Sequence, residues 1–139
     1  MRKNAYKGTT FTLTLPKRMS DSAKKKILIV EDDADIREGL IELLENEGYA
    51  VDEAENGKVA LSKLSNGMPF AILLDLMMPV MDGFAFLMEF EKLKAAASQD
   101  VPVLVLTAAG DRASQVKGIR AVIRKPVDID QLLEELNKL

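Results

Sequence analysis

The sequence predicts an α/β protein built on a doubly wound, five-stranded parallel sheet with helices on both faces. Two observations carry that expectation. From Lys26 onward, short aliphatic runs alternate with stretches whose apolar residues recur at helical spacing. The most apolar runs, KILIV (26–30) and FAILL (70–74), show no polar alternation, as expected of strands covered on both faces.

The elements follow in order. KILIV (26–30) is the first strand. A helix comes next, with Ile36, Leu40, Leu43 and Leu44 on one face and Gly48 as its stop. Tyr49–Ala54 reads as the second strand, Asn56-Gly57 as a turn, and Val59 to Leu64 as the apolar stripe of a short helix. Phe70–Leu74 is the third strand. Gly83 to about Ala97 is a helix with Phe84, Leu87, Met88 and Leu93 inward, and Asp82-Gly83 marks its start. Val101–Leu106 is the fourth strand and Ala121–Ile123 a short fifth. Ile129, Leu132, Leu133 and Leu136 form the apolar face of the last helix, opened by Pro126. Residues 1–25 stand apart as a polar, basic arm ending in MSDSAKKK, which leaves 26–139 as one domain of ordinary size.

Composition removes several function classes. The 139 residues contain no cysteine and no histidine. Disulfides, thiolate catalysis, Ser-His catalysis and zinc sites built on Cys or His are excluded, and no phosphohistidine can form on this chain. Any metal must be hard and oxygen-bound. A formal net charge of −3 gives no electrostatic footprint for nucleic acid. No apolar run is long enough to span a bilayer and no signal peptide opens the chain, so a cytoplasmic location without membrane contact by this chain is expected.

In such sheets, ligands bind beyond the carboxyl ends of the strands. There the first strand delivers Glu31, Asp32 and Asp33, the third Asp75, the fourth Thr107, and the fifth Arg124-Lys125-Pro126. The second strand, ending near Glu53–Glu55, offers no comparable cluster. Asp75 is the lone polar residue between Phe70 and Met78, and burying an unpaired carboxylate is costly. Two carboxylates about 4 Å apart repel by about 4 kcal/mol at an effective dielectric near 20. Such a cluster raises its pKa values or binds a cation. An oxygen-only site suits Mg²⁺, with Mn²⁺ an acceptable substitute. With Lys125 as a second positive charge, Asp75 can stay ionised and act as a carboxylate nucleophile toward a phosphoryl group, and Thr107 can bond a phosphoryl oxygen.

The pieces ILIVEDD (27–33), LLDLMMPVMDG (73–83), VLVLTAA (103–109) and RKP (124–126), in that order, resemble the receiver domain of bacterial response regulators. The resemblance covers 26–139 and implies the flavodoxin-like (βα)5 fold. It implies Asp75 as phosphoacceptor and Glu31, Asp32, Asp75 and the backbone carbonyl of Met77 as metal ligands. Thr107 and Lys125 become the switch hydroxyl and the site lysine, and Lys125-Pro126 is expected to be cis. Asp33 then caps the first helix, with a slip of one position in the acid pair kept open. The implied partner is a histidine kinase or a histidine phosphotransfer domain, and a homodimer is left open. With no DNA-binding segment after Leu139, output by protein contact or phosphate relay is expected.

Two departures from the family pattern stand out. The position three before the lysine, usually aromatic, is Val122, so the usual aromatic switch is missing or replaced. The stretch from Thr107 to Lys125 is short by roughly one helical turn, which implies a shortened or irregular fourth helix. At the N-terminus, KGTTFTLTLP (7–16) resembles the closing strand of a histidine-kinase ATP-binding domain, which suggests the C-terminal receiver of a hybrid, membrane-associated kinase. Two rivals remain. A phosphatase with an Asp nucleophile usually carries a second Asp two positions later, where this chain has Met77. A degenerate receiver would serve only as a docking module.

Overall fold

The computed structural model describes residues 24–76, 83–108 and 118–139. Strands β1 (Lys26–Val30), β2 (Ala50–Ala54), β3 (Ala71–Asp75), β4 (Val103–Thr107) and β5 (Ala121–Arg124) form one parallel sheet in the order β2-β1-β3-β4-β5. Helices α1 (Ala34–Asn46), α2 (Gly57–Leu64), α3 (Gly83–Ala97) and α4 (Ile129–Asn137) lie between and after them. Residues 1–23, 77–82 and 109–117 fall outside the described residues, and with them the predicted N-terminal strand, Met77 and most of the stretch expected to form a shortened fourth helix.

The two-residue period of a strand divides the apolar residues between two cores. Leu28, Val30, Ile72, Leu74, Val103 and Val105 face one way, against Ala60 and Leu64 of α2 and Phe86, Leu87 and Phe90 of α3. Ile27, Ile29, Ala71, Leu73, Leu104, Leu106 and Ile123 face the other way, against Leu40 and Leu44 of α1 and Leu132 and Leu136 of α4. The chain steps from β1 outward to β2, then back across β1 to β3 and on to β4. Right-handed crossovers therefore place α1 on one face and α2 and α3 on the other. The reversal opens a crevice between the ends of β1 and β3.

Local chemistry sets the helix ends. Asp33 caps α1, its side chain accepting from the amides of Asp35 and Ile36. Asn56 caps α2 by accepting from Val59 at 2.9 Å, so Asn56-Gly57 is a helix start and not the free-standing turn expected from sequence. Gly48 takes a φ of +95°, the left-handed conformation that suits glycine just past a helix end. In α3 the buried stripe is Gly83, Phe86, Leu87 and Phe90. Met88, expected inward, is 70% exposed, because it stands one position off that stripe. Ile129, expected on the buried face of α4, is half exposed at the first position of the helix. Among the described residues, no helix is long and apolar enough to cross a membrane.

Candidate functional site

The charged residues continue the rows of one core face. Ile27 and Ile29 on β1 and Ala71 and Leu73 on β3 all face α1 and α4, and Glu31 and Asp75 fall next in those rows. Val30 pairs with Leu74, the last register pair between the two strands, so Glu31 and Asp75 arrive as neighbours. On β5, Ile123 faces the same side and Lys125 lies two residues on. Asp75 is the final residue of β3 itself, one position further into the strand than the sequence suggests.

The rows converge. Lys125 Nζ lies 2.9 Å from Glu31 Oε1 and 3.3 Å from Asp75 Oδ2. Glu31 is fully buried, Asp75 is 4% exposed, and Lys125 keeps a fifth of its side-chain surface in water. Asp32 is exposed, yet one carboxylate oxygen from each of Glu31, Asp32 and Asp75 falls within a mutual 4.8 Å. Asp33 points elsewhere, into the cap of α1, so the acids gathered at this end of β1 are Glu31 and Asp32. The Lys125 amide donates to the carbonyl of Thr107 at 2.9 Å, which ties the lysine backbone to the end of β4. Thr107 is buried, one residue beyond Leu106, the register partner of Asp75. The Lys125–Pro126 peptide is cis, as expected.

The electrostatics follow from one ammonium among three carboxylates. Burial pushes the Glu31 carboxyl up to about 7; the Lys125 ammonium and the Asp33 amide oppose the rise, and the neighbouring Asp75 adds to it. For Lys125, burial favours the neutral amine, but its bonds to Glu31 and Asp75 outweigh burial and raise its pKa. Glu31 Oε2 accepts from the Asp33 amide at 3.2 Å. Glu31 Oε1 makes its ion pair with Lys125 but no hydrogen bond of good geometry, so a fully buried oxygen retains unused acceptor capacity. That oxygen and an all-carboxylate donor set fit a hard divalent cation. Met77, whose carbonyl the resemblance adds to the set, lies outside the described residues.

Leu76 and Gly83 are held together. The Gly83 amide donates to the Leu76 carbonyl at 2.7 Å, and a Cβ on Gly83 would stand 2.5 Å from the Leu76 Cα. Only glycine allows that approach, so α3 starts directly beside the end of β3.

Residues 27–137 match the family described as the response regulator receiver domain. The chain belongs to the response regulator receiver family. It is 43% identical over 103 residues to the transcriptional regulatory protein ResD of Bacillus subtilis, a match covering 74% of this chain and 41% of that protein. The chain spans half or less of the length of such curated relatives. Among solved structures, the response regulator TrrA of Thermotoga maritima in complex with Mg²⁺–BeF is similar at a TM-score of 0.73 and 35% identity, covering 82% of this chain and 97% of that one. The receiver domain of a signal transduction histidine kinase from Syntrophus aciditrophicus is similar at a TM-score of 0.71 and 33% identity, covering 82% and 88%. The chain is thus a regulatory receiver domain of the two-component response regulator family, with an acidic cluster that could hold a divalent cation.

Two residues that sequence reasoning passed over belong to this site's surroundings. Arg37 of α1 donates to the carbonyl of Glu31 at 2.7 Å and to Glu53 at 2.8 Å. Glu53 stands in β2, the strand whose end had no evident purpose. The cue was a lone arginine among acids near the start of α1, with acids at the end of the neighbouring strand.

Proposed function

We propose that Asp75 is the residue that accepts the phosphoryl group, from a phosphohistidine carried by a kinase or a histidine phosphotransfer domain. A carboxylate oxygen of Asp75 attacks phosphorus, the N–P bond breaks, and its electron pair returns to the imidazole of the donor. Asp75 becomes an acyl phosphate. Lys125 neutralises charge on the arriving group, and the Thr107 hydroxyl donates to a phosphoryl oxygen. Glu31, Asp32 and Asp75, with the Met77 carbonyl, would hold Mg²⁺, or Mn²⁺ in its place. That cation would neutralise phosphoryl charge and favour an ionised Asp75. Water later attacks phosphorus, releasing inorganic phosphate and restoring the carboxylate, so the receiver promotes its own dephosphorylation.

The observation that carries this reading is the meeting of buried Glu31 and Asp75 with the partly exposed Lys125, with Asp32 beside them. The similarity to a receiver complexed with Mg²⁺–BeF supports the same cation chemistry. We read 26–139 as the receiver and 1–25 as an arm or linker. The KGTTFTLTLP stretch, and likeness to a receiver domain of a histidine kinase, support origin in a hybrid kinase. Beryllofluoride tests the reading. With Mg²⁺ it should shift amide resonances at Asp75, Thr107 and Lys125, and without Mg²⁺ it should not. A spectrum unmoved by both would defeat the reading.

A further inference from the structure

The acids that would hold the cation are aimed by backbone, and the backbone is held from outside the cluster. The Glu31 amide donates to the Ala54 carbonyl at 3.0 Å, and the Glu31 carbonyl accepts from Arg37 Nη1 at 2.7 Å. The peptide plane between Glu31 and Asp32 is thereby fixed by a charged donor, one of the stronger kinds of hydrogen bond. Asp32 is exposed, so packing does not aim its carboxylate, and the orientation of that peptide does.

Arg37 is itself held. Its side chain is 15% exposed, and Nε donates to Glu53 Oε1 at 2.8 Å. The planar guanidinium serves the Glu31 carbonyl and the Glu53 carboxylate through two donors of fixed relative direction, which a lysine cannot do. Glu53 is fixed in turn. Its amide donates to the Asp52 carboxylate at 2.9 Å, and its carbonyl accepts from Lys63 of α2. The Glu53 side chain is half exposed, so the ion pair adds little stability of its own. Its consequence is geometric.

We infer that Arg37 is a positioning residue that clamps the Glu31–Asp32 peptide against the end of β2, and that Glu53 holds Arg37 in place for that purpose. The inference rests on the reading that Glu31, Asp32 and Asp75 bind a divalent cation. Groups that orient metal ligands from behind typically change metal affinity ten- to a hundredfold when removed.

The test is Mg²⁺ affinity, by calorimetry and amide-shift titration, of the full chain and of Arg37→Ala, Arg37→Lys and Glu53→Gln. Arg37→Ala should bind roughly ten- to a hundredfold more weakly. Arg37→Lys should recover part of that loss, and Glu53→Gln should lose a few-fold. In the cation-free protein, Arg37→Ala should also move the Asp32 and Asp33 amide resonances while those of α4 stay in place. Wild-type affinity in a folded Arg37→Ala overturns the inference. Should Arg37→Ala not fold, wild-type affinity in both Arg37→Lys and Glu53→Gln overturns it equally. Absence of Mg²⁺ uptake by the wild type would defeat the cation reading itself, whereas normal uptake undiminished in the variants defeats only the role of Arg37.

Discussion

The Lys125 ammonium stands 2.9 Å from the fully buried Glu31 carboxylate, and it reaches Asp75 from the same position. One cation thus faces two buried acids, and removing it takes a positive charge from beside both. Lys125→Ala should destabilise the cation-free protein by roughly 2 kcal/mol, below the usual cost of breaking a fully buried pair because the ammonium is partly solvated. Urea denaturation measures this. The same variant should accept beryllofluoride with Mg²⁺ yet fail to show the wild-type shifts around Thr107. Wild-type shifts in Lys125→Ala would remove the lysine from the response.

The raised Glu31 predicts a pH dependence. An acid at about 7 in the fold, against an ordinary 4.5, holds a proton that the unfolded chain has already released. Stability without cation should therefore be greatest below the lower value and fall as pH rises through that window, by at most about 1.4 kcal/mol per pH unit. The stabilising pairing of Lys125, raised from 10.5, is lost only at higher pH. Mg²⁺ needs the ionised carboxylate, so it should flatten or reverse the fall above neutrality. Denaturation curves from pH 5 to pH 8, with EDTA or Mg²⁺, check both signs. A rise with pH in EDTA would contradict the burial argument.

Asp32 and Asp33 should separate cleanly. Asp33→Ala removes a cap that serves two amides and should cost about 1 kcal/mol, with Mg²⁺ affinity changed little. Asp32→Ala should do the reverse, weakening cation uptake with little effect on stability. Thermal melts and calorimetry on the pair measure this directly.

Gly83→Ala should destabilise by about 1–3 kcal/mol, the range for forced overpacking, because the new carbon meets the Leu76 backbone, which cannot turn aside as its side chain could. Since the Leu76–Gly83 contact lies directly beside Asp75, phosphoryl acceptance should slow as well. Denaturation and acetyl phosphate kinetics on one sample would show the two effects together.

Much of this was legible in the sequence because burial on both faces leaves strands with little freedom of interpretation. KILIV gave β1 at its observed limits, and the polar residues at the ends of β1, β3, β4 and β5 pointed to the edge of the sheet where the cluster lies. Phase was harder. In α3 every residue from Phe84 to Met88 is apolar, so helical spacing alone could not show that Phe86 faces the sheet and Met88 faces water. Arg37 and Glu53 were hidden for another reason. Their meeting depends on the register of β1 with β2 and on the rotation of α1, neither of which a linear pattern of charges encodes. The row shared by Glu31, Asp75 and Lys125 follows from counting twos along each strand, once the order of the strands is known.

The most direct test of Asp75 as phosphoacceptor is mass spectrometry of the intact chain and its peptides after incubation with acetyl phosphate. With Mg²⁺, one phosphoryl group should appear on the wild type and map to the peptide carrying Asp75, and none should appear with EDTA or in Asp75→Asn. An unmodified, folded wild type in Mg²⁺, or a phosphoryl group retained in Asp75→Asn, would contradict the account.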